Sequence, residues 1–595
     1  MHTVVCLALF AISVIGGFSW APIGKAGIDN LDDLYQDIPL ADRVYVLDMH
    51  QYTRDELAVL IFLQGITSKT AAAIYIDDSN PTIDVSKKYI EEYQARYVDT
   101  GKSATVFDYS VTNLWALVEK FSDSFGRKFV TFGTVTDGDP SINLAATIAG
   151  IDCVLGVPAS LRQDAIAHGY TEVRDVRNVG GKGGYNSFIA GQNKIFQEYK
   201  NRLNKKLIVH HRPGDFGPRD LGITNGCFQF YTRDSVNSPK TYRQERAFRH
   251  EVYQWSEPNA LLMGMWAPGD EIVYFADMSK FAKQFSPMEF RLNGTLLMAL
   301  KGKERVEQRW RTDDDVPKAT AVNGKHTICL YVTDGDNMGV GDINGGVCQP
   351  YTKILRPRME SGDTFKLTYS MAPLWGKLSP FSIEYLYNNN DGYGIGKYDS
   401  YVGCTSGLSI INASSYPRNS LKGFAKMTAQ AMGRMDIRVM TPIDQWAHNP
   451  MYKLRATDYW SEFAKHDEIA GGLWQVDYPK YYAGYGCVVW ANNKPWVAVR
   501  SSLWDPDDDS SEAVSPAWLT EMAQSVNQRC TDPKKIDGYS VIAVQPWSMR
   551  YSDVQYFVSK LDLNKVQIVF ADELIDMVTK NVPHRDATPK REKAN

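Results

Sequence analysis

The segment Tyr331-Val-Thr-Asp334-Gly-Asp336-Asn337 follows directly on an apolar run, and its two carboxylates and one amide are the residues of this chain best placed to do chemistry. Such a group at a strand end can hold sugar hydroxyls, ligate a cation, or supply one of the two carboxyls that glycoside hydrolysis needs. The cation reading is weak, because Met338 and Gly345 stand where the calcium loop of an EF-hand requires ligands. No His or Cys spacing suggests zinc, so no metal and no cofactor is expected. For hydrolysis a second carboxyl must work with Asp334 or Asp336, one of the two having a raised pKa. The candidates are Asp477, flanked by Trp474 and Tyr478, and Glu384 in Phe381-Ser-Ile-Glu-Tyr385. The plain alternatives are an Asp-Gly turn at 334–335 and a solvated helix face for Glu384. A serine-hydrolase reading fails, since no GxSxG occurs and the pair His210-His211 has no evident partner.

Aromatic residues recur beside polar ones between residues 471 and 546: Gln475 and Asp477 near Trp474, Asp505 after Trp504, Gln545 before Trp547. A sugar offers an apolar C–H face to an aromatic ring while its hydroxyls need hydrogen bonds, so carbohydrate is the expected ligand. Trp474, Tyr478 and Trp547 are the expected platforms, with Asn337 and Gln545 as polar contacts. For any single Trp, core packing is the commoner fate.

These residues need a scaffold. Between residues 27 and 245, short apolar stretches (44–47, 73–76, 129–132, 153–157, 206–209) alternate with helical periodicity (54–63, 141–149, 187–199), which predicts an α/β unit. Asp139, just ahead of Pro140 and Ser141, reads as a helix cap. After a polar boundary the strand pattern resumes at 261–266 and 272–275. A second series places strands at 327–333, 366–371, 437–440, 471–476, 539–544 and 566–570, most of them separated by enough chain for a helix. That spacing predicts an α/β protein whose N-terminal α/β region (20–245) precedes an irregular (β/α) TIM-barrel-like domain (246–582). Barrel enzymes carry their chemistry where strands end, which is where Asp334, Asp336, Asp477 and Gln545 fall.

Composition sets outer limits. With 595 residues, 44% apolar and 23% charged, the chain is of ordinary globular composition and long enough for two or three domains. A net charge of −4 without a basic stripe argues against a nucleic-acid partner. Residues 4–15 (VVCLALFAISVI) have the length of a secretory h-region and are followed by small residues, so 1–19 is read as a signal peptide and the protein as secreted and extracellular, without membrane insertion. Seven cysteines beyond that segment allow at most three disulfides. Asn293-Gly-Thr295 and Asn412-Ala-Ser414 are glycosylation sequons. The mixed-charge tail 583–595 is expected to stay solvated and disordered.

Several segments together carry a resemblance. Phe62-Leu-Gln-Gly-Ile66, Asp139-Pro-Ser-Ile-Asn143, the 331–337 cluster, Asn492-Asn-Lys-Pro495 through Arg500 to Trp504, and Gln545-Pro-Trp-Ser548 are similar to, and in the same order as, segments of the GxGYxYP family of glycoside hydrolases. The resemblance implies an α/β N-terminal region ahead of a barrel-like domain, a carbohydrate substrate, and substrate contacts that include Arg500. The family's name motif falls near 411–417. There the chain keeps Tyr416 and Pro417 but has Ile411, Ala413 and Ser414 where the two glycines and the first tyrosine belong. Many relatives carry His at the position of Gln545, and glutamine cannot transfer a proton near neutral pH. Two expectations follow: a secreted glycosidase using Asp334 or Asp336 with Asp477 or Glu384, and a non-catalytic glycan-binding or extracellular-matrix protein on the same scaffold.

Overall fold

The computed structural model describes residues 27–77, 86–181, 185–233, 243–265, 271–288, 292–337, 354, 357–358, 360–388, 396–443, 459–475, 484–504 and 514–589. Its strands run in chain order as β1 Leu40–Asp48, β2 Ala72–Asp77, β3 Val106–Asp108, β4 Lys128–Phe132, β5 Leu155–Pro158, β6 Thr171–Asp175, β7 Asn204–His210, β8 Cys227–Phe230, β9 Leu261–Gly264 and β10 Gln284–Pro287, followed by β11 His326–Val332, β12 Leu367–Met371, β13 Asp399–Cys404, β14 Val439–Thr441, β15 Gly471–Trp474, β16 Val488–Ala491, β17 Lys494–Leu503, β18 Tyr539–Val544 and β19 Val566–Ile568.

The first ten form three small parallel sheets, ordered β2-β1-β3, β5-β4-β6 and β10-β9-β7-β8. The helix Arg54–Thr67 packs among them. Its sequence RDELAVLIFLQGIT is apolar on every side after the first turn, and every residue from Leu57 onward is buried, as such a pattern demands. A capping box between Thr53 and Glu56 starts it. β9 and β10 belong to the same sheet as β7 and β8, so that sheet spans the division expected at 245/246. The strand expected at 272–275 is instead part of the helix Glu271–Ser279. Its buried positions 272, 275 and 279, with 274 and 278, recur at helical rather than alternating spacing.

The C-terminal half is a barrel. Parallel pairings run β12-β13-β14-β15-β17-β18-β11, and a second pairing of β11, with β12, closes the ring at seven strands. β16 adds only an antiparallel hairpin to β17, and β19 pairs with residues 326–328 outside the ring, so the barrel strand expected at 566–570 is an outer one. Two ring members, β13 and β17, are absent from the predicted strand set because their sequences carry polar residues. Ser400 in β13 is fully buried and shares a 3.0 Å hydroxyl contact with Thr368, while Ser501 in β17 receives a 2.6 Å bond from Arg529.

Alternation along each strand sorts its side chains. In β15, Leu473 packs with the lining residues Val439, Val497 and Val541, whereas Trp474 packs outward. Gly472 is required there, since a Cβ would meet Trp496 Cε3 at 2.2 Å. The helix Ala571–Asn581 lies against β11, β14, β15 and β17, and its Leu574, Ile575 and Val578 join the same inner cluster. A Cβ on Gly471 would come within 3.0 Å of Ile575 Cγ2. The N-terminal end of the barrel is therefore packed shut, and the C-terminal end is where its inward polar groups gather.

Candidate functional site

The C-terminal ends of β11, β13, β14, β15 and β18 bring a polar group together. Asp334 follows β11 with φ +64°, a left-handed conformation that aspartate tolerates better than most residues. Thr333 Oγ1 donates to Asp334 Oδ2 and also lies 3.4 Å from Val544 O of β18. The turn is fixed from β12, where Ser370 Oγ accepts from Gly335 N at 2.9 Å and Ala372 N donates to Gly335 O at 3.1 Å. Asp336 sits beyond it and accepts from Thr405 Oγ1, just after β13, at 3.2 Å. Although part of its surface stays open, protein surrounds the carboxyl, and this burial raises the Asp336 pKa from its ordinary value against the hydrogen bonds that lower it. Asn337 is buried beside it.

Below the two carboxyls lies a buried polar layer. Tyr331, 1% exposed, points across the barrel and its hydroxyl accepts from Gln475 Nε2 at 3.0 Å; Gln475 itself is 3% exposed. Thr441 and Ser370 also reach the Tyr331 hydroxyl. Burial pushes the Tyr331 phenol and the Cys404 thiol far up, so both stay neutral at any working pH. Thr405, Ser370, Tyr331 and Gln475 were not among the expected site residues. The signal available for the last two was strand alternation: counting by twos from Leu473 puts Gln475, not Trp474, on the inner side.

The remaining expected residues divide clearly. Trp474 is not a sugar platform: it is 2% exposed, its indole donates to Trp496 O at 3.1 Å, and it lies 5.5 Å from the Trp460 ring. Glu384 is not near the mouth. It is buried on the helix Pro380–Asn388 and accepts from Tyr97 OH at 2.6 Å and Lys303 N at 2.7 Å, which ties that helix to the N-terminal region. Arg500 points to the start of β18, paired with Asp537 at 2.9 Å and with the carbonyls of Asp537 and Tyr539, so it acts on the barrel wall and not on a ligand at the mouth. Gln545 is 4% exposed, and its Oε1 accepts from Trp547 N at 3.1 Å. That bond builds the turn which leaves Trp547, 52% exposed, at the rim. Asp477 and Tyr478 lie outside the described residues, two and three positions beyond Gln475.

Neither sequon is presented to solvent. Asn293 is buried, its Oδ1 accepting from Gln64 Nε2 and Ile76 N and its Nδ2 donating to Ile76 O, each at 2.8 Å. Asn412 is equally buried and accepts from Ser414 Oγ and Ser415 N. A glycan on either would have to displace core. The six described cysteines, Cys153, Cys227, Cys329, Cys404, Cys487 and Cys530, are all free thiols, so the expected disulfides are not found among them. Among the described residues no His, Cys, Asp and Glu cluster could hold a metal, and no helix is long and apolar enough to cross a membrane. His210 is a satisfied core residue, with Nδ1 2.9 Å from Met265 O and Nε2 3.1 Å from Thr232 Oγ1. An open hollow of about 420 Å³ lined by Arg309, Thr312, Asp313, Asp314 and Asp315 lies ahead of β11. It has no aromatic face and is not part of the mouth.

With this geometry in hand, comparison places the barrel in a known class. Residues 324–579 match the profile of the GxGYxYP putative glycoside hydrolase C-terminal domain, which begins within two residues of β11 and spans every strand of the ring. The resemblance read from the sequence is therefore shown for the barrel region. A crystal structure of a putative hydrolase from Bacteroides thetaiotaomicron VPI-5482 shares the fold, with a TM-score of 0.74 and 19% identity over 94% of this chain and 98% of that one. No curated protein matches the chain.

Proposed function

We propose that this protein is a secreted glycoside hydrolase that cleaves an extracellular poly- or oligosaccharide at the C-terminal mouth of its barrel. The observation that carries the reading is the Asp334–Asp336 turn, in which burial raises the pKa of Asp336 while Thr405 keeps a hydrogen bond to its carboxylate. A carboxyl whose pKa its surroundings raise is what a general acid needs. Asp336 would protonate the leaving oxygen, and Asp334 or Asp477 would serve as the second carboxylate. Trp547, exposed at the rim, would stack on a sugar ring.

The family match supports the hydrolase class and a carbohydrate substrate in general terms. The apolar segment 4–15 supports secretion. Reducing-end release from a polysaccharide panel tests the reading, with Asp336→Asn and Asp334→Asn as controls. Release by the wild type that either substitution abolishes is expected. Release undiminished by both would place the chemistry elsewhere.

One observation favours a second reading. Gln545, where the family resemblance implies a proton-transferring His, accepts from Trp547 N in the turn that presents Trp547. A non-catalytic glycan-binding protein would look like this, and it would bind oligosaccharide through Trp547 without releasing reducing ends.

A further inference from the structure

The acidic mouth is fastened from outside the barrel. Immediately after Thr405 the chain turns through Ser406 at φ +69° and Gly407 at φ +122°, conformations that cost a serine of order 1–3 kcal/mol unless the surroundings hold them. On the barrel side, Ser406 N donates to Thr441 O at 3.0 Å, Ile443 N donates to Ser406 Oγ at 3.2 Å, and Leu408 N donates to Thr428 Oγ1 at 3.0 Å. The next residues leave the barrel and join the N-terminal half. Phe285 of β10 and Ile410 exchange both backbone hydrogen bonds, at 3.0 and 2.9 Å.

Beside this bridge, Ser409 Oγ donates to Gln284 Oε1 at 2.7 Å, and Gln284 Nε2 donates to Asn259 O at 2.7 Å. A carbonyl can only accept, so Nε2 must face Asn259 and Oε1 must face Ser409, which fixes the amide orientation. Gln284, Phe285, Ser409 and Ile410 are each at most 2% exposed. Asn259 is itself locked, donating to Ile28 O at 2.7 Å and Ser420 O at 3.0 Å and accepting from Tyr416 OH at 2.7 Å. An apolar side chain in place of Gln284 would leave Ser409 Oγ and Asn259 O without this partner. What glutamine adds is a directed link between two segments.

We propose that Gln284 and Ser409 are positioning residues for Asp336: the N-terminal half, through β10, holds the segment after β13 so that Thr405 stays bonded to the carboxyl and limits the access of water to it. The consequence for catalysis rests on Asp336 as the acid of the proposed hydrolase, but the positioning itself does not. Among the described residues, the titratable groups beside Asp336 are Asp334 on its own turn and the Cys404 thiol from β13, with the Tyr331 phenol in the layer below. The last two are neutral and unchanged by the substitutions below. Loosening the segment admits water, and since burial is the largest influence on Asp336, its pKa falls even as the Thr405 bond weakens.

The test is a carboxyl ¹³C NMR titration of aspartate-labelled protein, with the Asp336 resonance assigned by its absence in Asp336→Asn. In Ser409→Ala and Gln284→Leu the midpoint is expected to drop by about half a unit or more toward the ordinary carboxylate value. A midpoint that stays within about 0.2 unit of wild type, or rises, in a variant that retains native circular dichroism and tryptophan fluorescence overturns the proposal. Should Gln284→Leu fail to fold, Ser409→Ala alone decides, because it deletes one hydroxyl. Silence of the wild type on polysaccharides would remove the hydrolase reading without touching this result.

Discussion

The bond between Tyr331 and Gln475 offers a sharp test of the barrel's interior. These residues stand on β11 and just beyond β15, which lie on opposite sides of the seven-membered ring, and the 3.0 Å contact between them exists only if the ring closes in the register described. Tyr331→Phe keeps the ring and deletes the oxygen, leaving Gln475 Nε2 buried without its acceptor. A buried polar group stranded in this way costs about 1–3 kcal/mol. Gln475→Met strands the phenol instead, but Thr441 and Ser370 lie within its reach, so the cost should sit near the lower end of that range. Making both changes removes both polar groups at once, and the double variant should lose less than the sum by about 1 kcal/mol. Urea unfolding followed by tryptophan fluorescence gives the three differences, provided the m-value stays constant. Additivity within about 0.3 kcal/mol would refute the cross-barrel contact and with it the placement of the polar layer under the carboxyls.

Other expectations follow from single features. Lys366→Met should destabilise the protein by about 3–5 kcal/mol in thermal or urea unfolding, because Glu573, held by the Lys366 ammonium at 2.6 Å, would be left charged and buried. Burial pushes the Asp572 carboxyl up to about 6 against Arg311 and Arg438, so the folded chain holds a proton there that the unfolded chain has released. The stability this contributes is full below about pH 4 and is lost as pH rises through about 6. Asp572→Asn should flatten that slope, as urea midpoints measured on either side of the window would show. Intact-mass measurement of protein expressed through a eukaryotic secretory route should find no glycan on Asn293 or Asn412, since both amides are spent inside the fold. Trp547→Ala should weaken oligosaccharide binding roughly 5- to 30-fold, as loss of a stacking face worth about 1–2 kcal/mol predicts, without lowering the urea midpoint.

Much of this protein could be read in its sequence, where local pattern is decisive. The apolar run ending at Val332, followed at once by two carboxylates, defined β11 and the turn at its end. The alternation of strand and helix signals defined parallel sheets and a barrel, and the motifs from 331 onward carried the resemblance that the match over residues 324–579 supports. What pattern could not supply was partnership. Ser400 and Arg500 make β13 and β17 look polar, and only the tertiary structure provides Thr368 and Asp537, whose bonds let those strands be buried. Trp474 and Glu384 have the residue types of a sugar site, but strand alternation turns the tryptophan outward and Tyr97 with Lys303 claims the glutamate. The sequons read as acceptors because three consecutive positions satisfy a rule, while burial is set by segments distant in sequence, as in the Gln64–Asn293 bond and the bond from Asn412 N to Ser279 Oγ. The site as a whole is of this second kind. Its carboxyls follow one strand, but the groups that set their chemistry, Ser370, Thr405 and Gln475, come from elsewhere in the ring. Only ring closure, which trades chain entropy for buried apolar strand surface, brings them within hydrogen-bonding distance.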